Sequence, residues 1–127
     1  MKYVFDTNAV INFVCDTGDF SNLRESDEYY ISFVSFIELS VGFKSKDEEQ
    51  ITKSFIDKSN LVLINKHIID KTIDIRKSYG LKLPDSIIIA TAIQESATLI
   101  TSDMQIMKKA PDMNIKIIDP LSGESIM

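Results

Sequence analysis

Residues 83–92 read Leu-Pro-Asp-Ser-Ile-Ile-Ile-Ala-Thr-Ala, and residues 98–101 follow as Thr-Leu-Ile-Thr. The first stretch is a helix, almost wholly apolar, with one carboxylate, Asp85, at its mouth. The second is a short β-prone run, so a buried helix leads directly into a buried strand. That pairing sets the pattern for the whole chain. Working outward, strands are expected over residues 2–5, 29–33, 61–64, 98–101 and 115–118. Helices are expected over 9–14, 34–43, 45–59, 66–79 and 83–96, with a short one after Asp103. Strands alternating with helices define an α/β protein, here a single-domain α/β/α sandwich over residues 1–127 with a parallel sheet covered on both faces. In such sheets the functional crevice lies beyond the C-terminal strand ends.

Local signals support these boundaries. Asp6-Thr7-Asn8 offers turn and N-cap residues between the first strand and its helix. Ser45-Lys46-Asp47-Glu48 has capping-box spacing. Gly80 suits the end of the 66–79 helix, in which Ile69 and Ile73 are expected to be buried. The helix over 34–43 reads as buried, with Ser35, Glu38 and Gly42 as a thin non-apolar stripe. Residues 16–28 are polar and are expected to hold a loop and a short helix around Phe20 and Leu23. A short tail follows Asp119-Pro120.

Composition bounds the function. The chain has 127 residues, 44% hydrophobic and 26% charged, with a formal net charge of −5. That size suits one core. A protein holding nucleic acid by bulk electrostatics would be basic, so such contacts here need local basic patches or metal ions. No apolar run has the length of a signal peptide or a membrane span. The lone Cys15 forms no internal disulfide, fits a reducing cytoplasm, and reads as a small core hydrophobe.

Four acids fall where the strands should end. Asp6 follows the first strand, Glu38 lies one turn into the helix after the second, and Asp103 follows the fourth. Asp85 joins them if its helix starts at the same edge. Taken singly, each is an ordinary residue: a cap, a solvated helix acid, a dipole-favoured acid, a turn acid. Taken together, four ionised carboxylates would repel one another and raise their pKa values. A divalent cation relieves that repulsion, and oxygen ligands suit Mg2+ or Mn2+. Asn8, Ser35 and Thr101 stand beside these acids in sequence and are candidates to orient them or to touch phosphate. Lys82, Lys108 and Lys109 flank Asp85 and Asp103 and are candidate phosphate contacts.

The segments Val-Phe-Asp-Thr-Asn at 4–8, Ser-Phe-Ile-Glu-Leu at 35–39, the 83–92 block and Leu-Ile-Thr-Ser-Asp at 99–103 together resemble a PIN-domain ribonuclease. The likeness is strongest to the small VapC-type toxins of type II toxin–antitoxin pairs. It spans nearly the whole chain, and the 83–92 block is its most specific part. The resemblance implies a five-stranded parallel sheet ordered 3-2-1-4-5. It also implies Mg2+- or Mn2+-dependent endonucleolytic cleavage of RNA, with Asp6, Glu38, Asp85 and Asp103 as the metal-binding, catalytic acids. It further implies a cytoplasmic homodimer inhibited by a cognate antitoxin. Many relatives carry another acid shortly after the last Asp; here Met104, Gln105 and Ile106 follow. A second ion is therefore expected to bind weakly, or only with substrate present.

Other readings are weaker. A PIN-like domain that binds RNA or a partner without cutting is the main alternative, against which the intact acid set stands. A receiver domain needs an acceptor Asp at the end of the third strand, where Ile64-Asn65 stands. An aspartyl-phosphate phosphatase needs a second Asp where Asn8 stands, and no Gly-rich phosphate loop supports an NTPase. His67 reads as a surface or capping residue, Tyr29 and Tyr30 as core.

Overall fold

The computed structural model describes residues 1–122 and the backbone of 124–126. The elements run β1 (Lys2–Phe5), α1 (Thr7–Val14), β2 (Glu28–Ser32), α2 (Phe33–Val41), α3 (Lys46–Asp57), β3 (Asn60–Val62), α4 (Lys66–Tyr79), α5 (Leu83–Glu95), β4 (Thr98–Ile100), α6 (Met104–Lys109), a 3-10 turn (Ala110–Met113), β5 (Ile117–Asp119) and β6 (Glu124–Ile126). Five parallel strands take the order β3-β2-β1-β4-β5. The tail after Pro120 adds something the sequence pattern did not show: β6 pairs antiparallel with β5, with Ile118 opposite Ser125. It covers an edge that would otherwise expose unpaired backbone groups.

Alternation along each strand splits the core in two. Val4, Tyr30 and Leu99 pack on one side of the sheet with α4, α5 and Ile117. Tyr3, Phe5, Ile31 and Ile100 pack on the other with Ala9, Val10, Leu39 and Phe55. Phe5 is fully buried there, with ring centroids 5.1 Å from Phe55 and 5.4 Å from Tyr29. Burial of such a side chain contributes roughly 2–3 kcal/mol. Both faces of the sheet are therefore dry, which leaves the strand ends as the place for polar chemistry.

The caps form as expected. Ser45 Oγ accepts from the Glu48 N–H at 3.1 Å. Gly80 closes α4 with φ +65°, a left-handed conformation that glycine adopts without strain.

Four packing expectations fail, for identifiable reasons. In α4 the buried line is Ile68, Thr72 and Ile75, while Ile69 and Ile73 are 43% and 47% exposed. Two apolar lines lie one residue apart, and packing against α5 selects the one interrupted by Thr72. That choice leaves the Thr72 hydroxyl buried without a hydrogen-bond partner among the described residues. In α2 the buried residues are Ser35 and Leu39, while Ile37 and Val41 are exposed. The supposed polar stripe thus turns partly inward, because Ser35 meets Thr7. Cys15 is exposed, because it caps the C-terminus of α1 at the rim of the domain. Residues 16–27 form turns rather than a helix; Phe20 and Leu23 anchor them by packing onto the aromatic cluster around Phe5 and Phe13.

Candidate active site at the C-terminal strand ends

Asp6, Glu38, Asp85 and Asp103 line one cavity of about 200 Å3, together with Thr7, Asn8 and Ile88. Topology brings them there. β1 lies between β2 and β4, so the residues just past these three strands must be neighbours. α5 runs back from this edge toward the start of β4, which places its first turn, with Asp85, over the same crevice. Ile88 lies one turn further along α5 and forms the apolar wall.

Asp6 both caps a helix and lines the cavity. Its Oδ1 accepts from the Ala9 N–H at 2.8 Å, capping α1. Its Oδ2 accepts from the Thr101 hydroxyl. Asp6 is only 7% exposed. Burial pushes its carboxyl up to about 6, with the nearby Asp103 and Asp85 adding to the rise and the two hydrogen bonds opposing it. Asp85 is half-buried. Burial also raises its pKa, as do Asp103 and Glu38, while Lys82 works against the rise. Asp103 caps α6, its Oδ1 accepting from the Gln105 N–H at 2.8 Å. The Asp103 N–H itself donates to Thr101 Oγ1 at 3.0 Å.

Glu38 is held from across the crevice. The Thr7 hydroxyl lies 2.5 Å from Glu38 Oε1 and 3.2 Å from Ser35 Oγ. Thr7 is the site residue that sequence reasoning passed over as a turn residue. Its position between Asp6 and Asn8 was the available signal. Ser35 and Thr101 are buried and touch the site through Thr7 and Asp6, while Asn8 is exposed and lines the cavity. Lys82 is exposed at the N-cap of α5. Lys108 and Lys109 lie in the last turn of α6, roughly 9 Å along the helix from Asp103. None of the three lysines lines the cavity. His67 is exposed at the start of α4 and does not line the cavity.

The donor set is oxygen-only, and two of its carboxyls are raised by burial and by neighbouring acids. Both features fit a hard divalent cation. No three acidic, His or Cys side chains among the described residues are gathered tightly enough to cage an ion as they stand.

A doubly covered parallel sheet with a carboxylate-lined crevice at its C-terminal edge defines the class: an α/β sandwich whose strand ends carry an acidic cavity. The family model of the PIN domain matches residues 3–112, and the chain belongs to the PIN domain family. Among solved structures, it is similar to a chain of a toxin–antitoxin complex from Klebsiella pneumoniae, with 28% identity over 93% of this chain and 97% of that one and a TM-score of 0.73. It shares its fold with a chain of VapBC2 from Rickettsia felis bound to a promoter DNA fragment, at 20% identity, 94% and 100% coverage and a TM-score of 0.75. It shares it also with VapBC-5 from Mycobacterium tuberculosis, at 18% identity, 92% and 97% coverage and a TM-score of 0.72. No curated protein matches the chain significantly in sequence. No helix among the described residues is long and apolar enough to cross a membrane.

Proposed function

We propose that this protein is a metal-dependent endoribonuclease that hydrolyses RNA phosphodiester bonds and acts in the cytoplasm as the toxin of a type II toxin–antitoxin pair. One observation carries the reading: Asp6, Glu38, Asp85 and Asp103 line a single cavity, and burial raises the pKa of two of them. Membership of the PIN family supports nuclease chemistry. The likeness to a chain of a toxin–antitoxin complex supports an antitoxin partner.

In this reading Asp6, Glu38, Asp85 and Asp103 hold Mg2+ or Mn2+. When bound, the ion would polarise the scissile phosphodiester and lower the pKa of an attacking water. The chain's own groups set the frame. Thr101 orients Asp6, Thr7 orients Glu38 with Ser35 behind it, and Asn8 is placed to contact a phosphate oxygen. Lys82, Lys108 and Lys109 supply the local positive charge that the acidic total lacks. A homodimer belongs to the same reading, and the exposed apolar residues Ile37, Val41, Ile69 and Ile73 offer surface for it.

The test is cleavage of a mixed RNA panel by purified protein in Mg2+ or Mn2+, with EDTA and Asp85→Asn controls. Cleavage that needs the metal and is lost in the variant is the expected result. Equal cleavage by wild type and variant would sink this reading of the four acids, and no cleavage by a folded, inhibitor-free wild type would favour a PIN domain that binds without cutting.

A further inference from the structure

Asp119 ends β5 at the same edge of the sheet as the acid-lined cavity, yet it does not line it. It is as buried as Asp6, at 7% exposure. Its Oδ1 accepts from the Ser102 hydroxyl at 2.5 Å and from the Leu121 N–H at 3.0 Å. Ser102 lies between Thr101, which bonds Asp6, and Asp103, which lines the cavity. The loop at 101–103 is therefore tied by side chains at two points, Thr101 to Asp6 just past β1 and Ser102 to Asp119 on β5, beside the backbone bond from the Thr101 N–H to the Ile118 carbonyl. Between those ties the Asp103 N–H donates to Thr101 Oγ1. A continuous run of polar contacts thus joins the end of β5 to the end of β1, with Asp103 in its middle.

The turn that starts at Asp119 is itself anchored. Its Pro120 carbonyl accepts from the Asp19 N–H at 2.7 Å. A Cβ on Gly18 would come within 3.0 Å of that carbonyl. The segment after α1 thus packs directly on the turn, and the β5–β6 pairing holds it from the other side. A carboxylate held this firmly is a fixed point from which to place a loop.

We propose that Asp119 is a positioning residue: through Ser102, its carboxylate fixes the loop that carries Asp103 into the acid-lined cavity. The loop lock stands on geometry alone, while its consequence for cleavage rests on the nuclease reading above. Asp119 touches neither the cavity nor anything bound there, so it acts only through Ser102 and the loop.

Ser102→Ala removes the link and leaves the bond from Asp119 to Leu121 intact, so it is the variant of first choice. Asp119→Ala removes the fixed point itself. The first readout is amide hydrogen exchange of the metal-free protein, which needs no activity. Asp103 and its neighbours should exchange about tenfold faster in both variants, with β1 and α5 unchanged. The second readout is Mn2+ affinity by calorimetry together with RNA cleavage. Each variant should bind Mn2+ and turn over about tenfold more weakly, in the range found for residues behind metal ligands, with little change in KM for RNA. The double variant should be no worse than the poorer single one. Ser102→Thr, which keeps the hydroxyl, should restore both readouts. Unchanged exchange at Asp103 in Ser102→Ala, or additive losses in the double variant, overturns the proposal. A wild type whose loop is protected through Ser102 but which neither binds Mn2+ nor cuts RNA overturns the nuclease reading and leaves the lock standing.

Discussion

Asp6 and Asp119 stand at the ends of two strands of one sheet, expose the same small fraction of their surface, and have opposite electrostatics. Asp6 accepts two hydrogen bonds and faces other acids, and its carboxyl is pushed up to about 6. At Asp119 burial pushes upward too. The Ser102 and Ser122 hydroxyls and the Leu121 and Ser122 N–H groups more than offset it, and the carboxyl sits below the ordinary range. At Asp6 burial is the leading cause, two hydrogen bonds fall short of it and two like charges add to it; at Asp119 the donors taken together outweigh a shallower burial. Asp119 is satisfied by the fold. Asp6 is left short, which is the condition in which a cation adds most.

The largest effect that would sharpen this contrast is on cleavage. Asp6→Asn should lower it by more than about 100-fold, beyond the range for residues that only support metal ligands. Asp119→Asn, which keeps an acceptor oxygen for Ser102, should stay within about tenfold of wild type. Initial rates on one RNA substrate in Mn2+ compare the two directly, and equal losses would break the distinction.

Stability should move the opposite way. A folded-state pKa raised above the unfolded value gives stability that is full at low pH and lost as pH rises through about 6. At pH 7 the ionised Asp6 thus strains the metal-free fold. Asp6→Asn, which keeps an N-cap oxygen, should stabilise the metal-free protein by up to about 3 kcal/mol at pH 7, and by almost nothing near pH 4. Urea melts at both values test this, and destabilisation at pH 7 would contradict it.

Asp119 has the reverse sign. Its depressed pKa contributes stability that is present above the ordinary carboxylate range and lost as pH falls through the folded value. Asp119→Ala should cost about 1–2 kcal/mol at pH 7, the scale of buried hydrogen bonds lost. The gap from wild type should shrink on acidification, and thermal melts across the same pH range would show it.

The smallest effect is a proton count. Because Asp6 is half-protonated near pH 6, Mn2+ binding there should release about half a proton from this group. Binding to Asp6→Asn should release correspondingly less. Calorimetry in buffers of different ionisation enthalpy reads the difference.

Much of this was legible in the chain. The strand–helix alternation gave the sheet, and the caps at Asp6, Ser45, Gly80 and Asp103 follow from residues within one turn of each other. Legibility stopped where partners are distant. Thr7 reads as a turn residue until Glu38 is seen opposite it. Asp119 reads as a strand terminator until Ser102 is seen beside it. Ile69 and Ile68 are equally apolar on paper, and only the face of α5 chooses between them. Cys15 looked like core because the composition of a helix end does not say which way its last residue points.

By itself, the sequence determined the alternating strands and helices from β1 to β5, their order and the four acids near the strand ends, because propensity, capping and periodicity act over a few residues; β6 and the turns at 16–27 lay outside its reach. The tertiary structure alone decided which acid is strained, which is satisfied, and what holds each in place. Those outcomes depend on which strands lie side by side: β1 between β2 and β4, and β5 next to β4. No local pattern encodes that adjacency, because it results from both faces of the sheet burying their apolar side chains at once.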